Sequence, residues 1–78
     1  MPTTSDILKA IAEHLGLNLE DLDRNALLRE ELNLGAIELN DLLSNLSQKF
    51  NVSFEGKDVE GLRKVEDIIV LVEDNLLD

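Results

Sequence analysis

The stretch Ala36-Ile37-Glu38-Leu39-Asn40-Asp41-Leu42-Leu43-Ser44-Asn45-Leu46-Ser47-Gln48-Lys49-Phe50 decides the fold. Wound at about 100° per residue, it gathers Leu39, Leu42, Leu43, Leu46 and Phe50 within about 100° of one another. That is the apolar stripe of a helix lying on a core, and Asn51 closes it. The opposite side carries Ile37, Asp41, Ser44 and Gln48. Ile37 is thus the one apolar residue of the helix that points away from the stripe.

The same period recurs on either side. Ile7, Leu8, Ile11 and Leu15 form one stripe, which predicts a helix over 6–15 with Ser5 as N-cap, Asp6 in the first turn and Gly16 in the left-handed position past the end. At the other end Val65, Ile68, Ile69, Val72 and Leu76 follow helical spacing. The β-branched run Ile68–Val72 alone would suit a strand, but a lone strand has no partner here. Val70, Leu71 and Leu77 widen that helix's apolar face and are read as further core. Between the last two long helices, Val52-Ser53-Phe54 reads as extended and Asp58 to Leu62 as a brief helix. From Leu17 to Gly35 the pattern is irregular, a long connection with room for a turn of helix. It is expected to pack on the core through several of Leu17, Leu19, Leu22, Leu27, Leu28, Leu32 and Leu34. The fold class is all-α: a bundle of three longer helices plus one short helix, with a long first loop, over a single domain 1–78.

Composition agrees. Leu, Ile, Val and Phe make up 29 of 78 residues, well above the share at which a charged chain stays disordered. A chain this short buries only about 60% of its unfolded surface, so the core is thin. With no Cys, there is no disulfide, no thiolate metal site and no cysteine nucleophile. A formal charge of −10 disfavours nucleic acid and anionic membranes alike. The start lacks the basic and apolar regions of a secretory signal, which points to the cytoplasm.

Taken together, Leu15-Gly16-Leu17, Asn25-Ala26, Glu31-Leu32, Ile37, Leu42, Leu46, Phe50, Phe54-Glu55 and Val65 through Ile69 resemble the acyl carrier protein family over nearly the whole chain, without a gap. The resemblance implies the carrier fold and a serine at the start of the second helix, within Asp-Ser-Leu. In the family that serine takes 4′-phosphopantetheine as a phosphodiester, and a helix N-terminus suits the phosphate. The gapless match puts Gly35-Ala36-Ile37 there. Ala36 has no hydroxyl, so no cofactor is expected to attach. Shifting the register onto Leu34-Gly35-Ala36 brings Glu38 to the serine position and dislocates Phe50. Ser44 and Ser47 lie too far along the helix. The divergence covers both neighbours of Ala36 as well, which a single Ser→Ala change would not.

The family's helix also carries a run of Glu that basic patches on synthases and transferases recognise. Here the corresponding residues are Ser47-Gln48-Lys49, and residues 36–50 hold a net charge of only −1. Segments 1–35, 36–56 and 57–78 carry −4, −2 and −4, so the acid is thinnest where the family concentrates it. Steering onto strongly basic enzymes should be correspondingly weak. Ile37 with Asp41, Ser44 and Gln48 is the candidate partner surface.

Other constellations offer less. Asp21, Asp23 and Asn25 begin like a calcium loop, but Ala26 and Leu32 stand where Gly and Glu are needed. Asp21, Asp23, Glu30 and Glu31 then read as a solvated acidic loop, with no metal site. His14, the only imidazole, sits at a helix C-terminus, where the macrodipole favours a cation. No base–nucleophile arrangement supports an enzyme. The expectation is a carrier-like protein without the attachment serine, acting through protein partners such as synthase- or transferase-like enzymes. The alternatives are an acyl carrier protein of fatty-acid or polyketide-type synthesis in a non-modifiable form, and a bundle that holds an acyl chain non-covalently.

Overall fold

Four α-helices account for most of residues 2–76, the part of the chain that the computed structural model describes. Helix α1 spans Thr4–Leu15, α2 Ala36–Phe50, α3 Gly56–Glu60 and α4 Val65–Leu76, with a 3₁₀ turn at Leu19–Asp21 in the long first connection. The all-α expectation of three longer helices and one short one is met. Leu77 lies outside the described residues.

The boundaries follow from the caps. Helix α1 begins earlier than the sequence suggested: its N-cap is Thr3, not Ser5. Thr3 Oγ1 accepts from the Asp6 amide at 3.2 Å while Asp6 Oδ2 accepts from the Thr3 amide at 2.9 Å. A hydroxyl needs its acidic partner three residues on, and only Thr3 has one. At the far end Gly16 adopts φ 72°, and Leu17 donates to the Ala12 carbonyl at 2.9 Å, the expected left-handed cap. Helix α2 ends likewise at Asn51, with φ 55°. The short helix is Gly56–Glu60 rather than Asp58–Leu62, because Asp58 Oδ2 accepts from the Glu55 amide at 3.1 Å and so marks a start two residues sooner. Leu62 then falls beyond the helix and is buried.

Helix α1 packs against α2 and α4, and α2 packs against α4. Their shared interior is aliphatic: Ile7 and Ile11 from α1, Leu42 and Leu46 from α2, and Val65, Ile68, Ile69 and Val72 from α4 are all fully enclosed. Leu39 and Phe50 finish the α2 stripe half-buried at its ends. Val70 corrects one expectation. It faces outward at 45% exposure, because at about 100° per residue it falls on the side of α4 away from the row of Val65, Ile68, Ile69 and Val72.

The long first connection is held by backbone as well as by leucines. Leu22, Ala26, Leu28 and Leu34 are buried, whereas Leu17, Leu19 and Leu27 are exposed. Across the bundle, Glu66 donates to the Arg24 carbonyl at 2.8 Å, Val65 to Ala26 at 3.1 Å, and Leu28 to Arg63 at 2.8 Å. These bonds surround an isolated antiparallel bridge between Leu27 and Lys64. Asp67 Oδ2 accepts from the Arg63 and Lys64 amides at 2.9 and 3.0 Å. The first turn of α4 and the loop before α2 therefore satisfy one another's polar groups. Leu34 donates to the Leu28 carbonyl at 2.9 Å, which carries that anchoring to the doorstep of α2.

Candidate functional site

Helix α2 starts where the anchored loop delivers it. Gly35 is the N-cap, in extended backbone at φ −80° and ψ −176°, and Ala36 is the first helical residue. Ala36 is exposed and presents a methyl group at that position. Glu38 turns back over the helix start, its Oε1 accepting from the Gly35 amide at 2.9 Å. Beside Ala36 runs a cleft of about 470 Å³ lined by Leu28, Leu34, Leu39, Val59 and Leu62, with Arg29 and Arg63 among its charged residues. The sequence reading missed this cleft, because its walls come from the loop, α2 and the α3–α4 connection together.

The candidate surface residues lie where the helical wheel put them. Ile37 is 80% exposed, and Asp41, Ser44 and Gln48 are exposed along the same side of α2. They make a shallow strip of one aliphatic side chain followed by polar ones. One member is engaged within the chain: His14 Nε2 lies 3.1 Å from Asp41 Oδ2. On sequence alone His14 has only a helix-end role. Its contact with another helix had no local signal, since the two residues are far apart in the chain.

Neither other serine of α2 substitutes for a hydroxyl at residue 36. Ser44 is exposed two turns along the helix, and Ser47 donates its hydroxyl to the Val52 carbonyl at the helix C-terminus. Two of the four acidic loop residues serve the backbone: Asp23 Oδ1 accepts from the Asn25 amide at 2.8 Å and Glu31 Oε1 from the Leu27 amide at 2.9 Å. Among the described residues no group of three or more His, Asp or Glu side chains is arranged to hold a metal ion. No helix among them is long and apolar enough to cross a membrane.

Comparison with known proteins places this geometry. Residues 5–72 match the family model described as the phosphopantetheine attachment site. The acyl carrier protein of Chlamydia caviae is 32% identical over 92% of this chain and 94% of its own length. That of Campylobacter jejuni subsp. doylei is 29% identical, with 97% of both chains covered. The crystal structure of the Thermotoga maritima acyl carrier protein superposes with a TM-score of 0.76 at 26% identity, over 94% of this chain and 85% of that one.

Proposed function

The chain belongs to the phosphopantetheine attachment-site family of acyl carrier proteins, and from that membership we propose that it docks onto synthase- or transferase-like enzymes of fatty-acid or polyketide-type assembly without carrying an arm at residue 36. The family's prosthetic group needs a hydroxyl to form its phosphodiester. At the head of α2 the chain offers the Ala36 methyl, and Ser47, the other helix serine with a defined partner, is spent on Val52. The residues present do not fit the group. Chemistry is left to the partners, and the chain contributes a surface: Ile37 as the apolar anchor, with Asp41, Ser44 and Gln48 beside it. These encounters belong in the cytoplasm.

The observation that carries this reading is the alanine at the first position of α2 in an otherwise carrier-like chain. The test is an intact mass after incubation with coenzyme A and a promiscuous phosphopantetheinyl transferase. The expected result is no gain, and a stoichiometric adduct would refute the unarmed reading.

The names of the relatives favour a second reading more directly, since each is called an acyl carrier protein. On it, the working form bears serine at residue 36 and this sequence is its non-modifiable form. A serine codon at that position in the source gene would decide for it. The cleft beside Ala36 favours a third reading, in which an acyl chain is held non-covalently. Its volume falls in the range of about 300–1,000 Å³ typical of ligand sites. Titration with a fatty acid should then shift the NMR signals of Leu28, Leu39 and Leu62.

A further inference from the structure

Helix α4 concentrates the acid that α2 lacks. Glu66, Asp67, Glu73 and Asp74 give it four negative charges and no base, whereas α1, α2 and α3 each sum to −1. Three of the four are drawn into the fold: Glu66 pairs with Arg24 at 2.6 Å, Asp67 caps the Arg63 and Lys64 amides, and Glu73 accepts from the Thr4 hydroxyl at 2.6 Å. Asp74 is exposed. At about 100° per residue it shares the outward side of α4 with Asp67 and Val70. Val70 adds little to the helix there, since an exposed β-branched residue contributes neither burial nor helix propensity. It does not stand alone. Two shallow grooves, of about 250 and 440 Å³, share Asp58, Leu71 and Asp74. The first adds Leu62 and Val70 as apolar lining, and its charged residues, Asp58, Asp67 and Asp74, are all acidic. In the second the one base is Lys57, whose Nζ lies 3.5 Å from Glu55 of the same groove.

We infer that this outward face of α4 is a second docking surface, and that its occupant is a cationic amphipathic helix of another protein. Apolar side chains of that helix rest on Val70 and Leu71, and its Lys or Arg residues meet Asp58, Asp67 and Asp74. Charge complementarity selects the occupant. A second copy of the chain would meet the face with itself in a two-fold contact, setting three acids against the same three. Nucleic acid and anionic membranes carry the wrong sign as well. A neutral apolar surface would desolvate the carboxylates and give them no partner. The long-range steering that α2 is too weakly charged to supply thus falls on α4. Because the surface lies on a different helix from Ile37, the inference stands apart from the role proposed for α2.

The test titrates the isotopically labelled 78-residue chain with a synthetic amphipathic helix of leucine and lysine, and separately with its leucine and glutamate counterpart. The lysine peptide should shift the amides of Val70, Leu71 and Asp74 more than those of Ile37 and Asp41. The glutamate peptide should shift none of them. Val70→Gln should weaken binding of the lysine peptide about tenfold. Asp74→Asn should weaken it about fivefold at low ionic strength and far less in high salt. Both side chains are exposed, so the fold should hold, and circular dichroism with a urea midpoint checks that it does. Should Val70→Gln lose its fold, Asp74→Asn and the mapped shifts decide. Shifts centred on α2, folded variants that bind as tightly as the parent, or a glutamate peptide that binds equally well would each overturn the inference. So would a dimer in sedimentation that Asp74→Asn strengthens, since the occupant would then be a second copy.

Discussion

His14 Nε2 and Asp41 Oδ2 lie 3.1 Å apart, joining the last turn of α1 to the second turn of α2. Asp41 is three-quarters exposed, so the contact is a surface one and its worth is small, about 1 kcal/mol or less. In urea unfolding, Asp41→Asn should cost no more than that. The same change in a His14→Ala background should cost nothing further. A full-sized effect that persists without His14 would mean that Asp41 acts through another partner.

Ile37 tests the proposed surface. Exposed to 80%, it adds little to the core, and Ile37→Glu should change stability by less than about 0.5 kcal/mol. Its effect should appear in docking instead. The parent chain is expected to compete with an armed carrier for a synthase- or transferase-like enzyme, and the variant to compete about tenfold less well. Loss of thermal stability instead would place Ile37 in the core.

Ile11 is the opposite case. It is wholly enclosed between α2 and α4, and Ile11→Ala should cost about 2–5 kcal/mol. For a domain whose total stability is about 5–15 kcal/mol, the loss should move the denaturant midpoint steeply while leaving its slope unchanged.

Asp6 gives a pH signature. Hydrogen bonds from the Thr3 backbone, and secondarily from its side chain, lower its pKa below the ordinary carboxylate value. A group depressed in the folded state contributes stability that is complete above its unfolded pKa and is lost as the pH falls through the lower, folded one. Asp6→Asn should therefore narrow the stability gap between neutral and strongly acid solution, with parent and variant differing at neutral pH and converging at the acid end of a pH series of melts.

Arg24 tests the loop anchor. Both oxygens of Glu66 lie 2.6–2.7 Å from one guanidinium nitrogen, and hydrogen bonding to Glu66 raises the Arg24 pKa. Because both groups are partly exposed, Arg24→Ala should lower global stability only slightly. Amide exchange should be more telling. The Val65 and Glu66 amides, which donate into the loop, should lose protection before those inside α4 do.

Much of this was legible in the chain. The stripes of α1, α2 and α4 are strongly periodic, and the spacing named every buried residue of α2 and α4; in α1 it named Ile7 and Ile11 but not the buried Ala10 and Ala12, while Leu8 and Leu15 are only partly buried. Ile37 faced outward as the wheel required, since a helical position leaves little freedom once its neighbours on the stripe are fixed. The N-cap was misplaced because Ser5 and Thr3 are chemically alike, and only the reciprocal bond with Asp6 separates them. Val70 departs from the expectation because a β-branched run looks uniformly apolar, whereas the helical period turns this member away from the buried row. The cleft, the His14 contact and the bridge between Leu27 and Lys64 join residues distant in sequence, for which one chain carries no local signal.

The bridge has a consequence for how the chain assembles. Residues 24–28 find their backbone partners only at residues 63–66, after α2 and α3 have been made. The cost of closing so long a loop must be met before those bonds can repay it. The head of α2 is therefore among the last parts of the molecule to settle. A chain cut before residue 63 would lose what fixes where the second helix begins, together with the four α4 side chains that close the core.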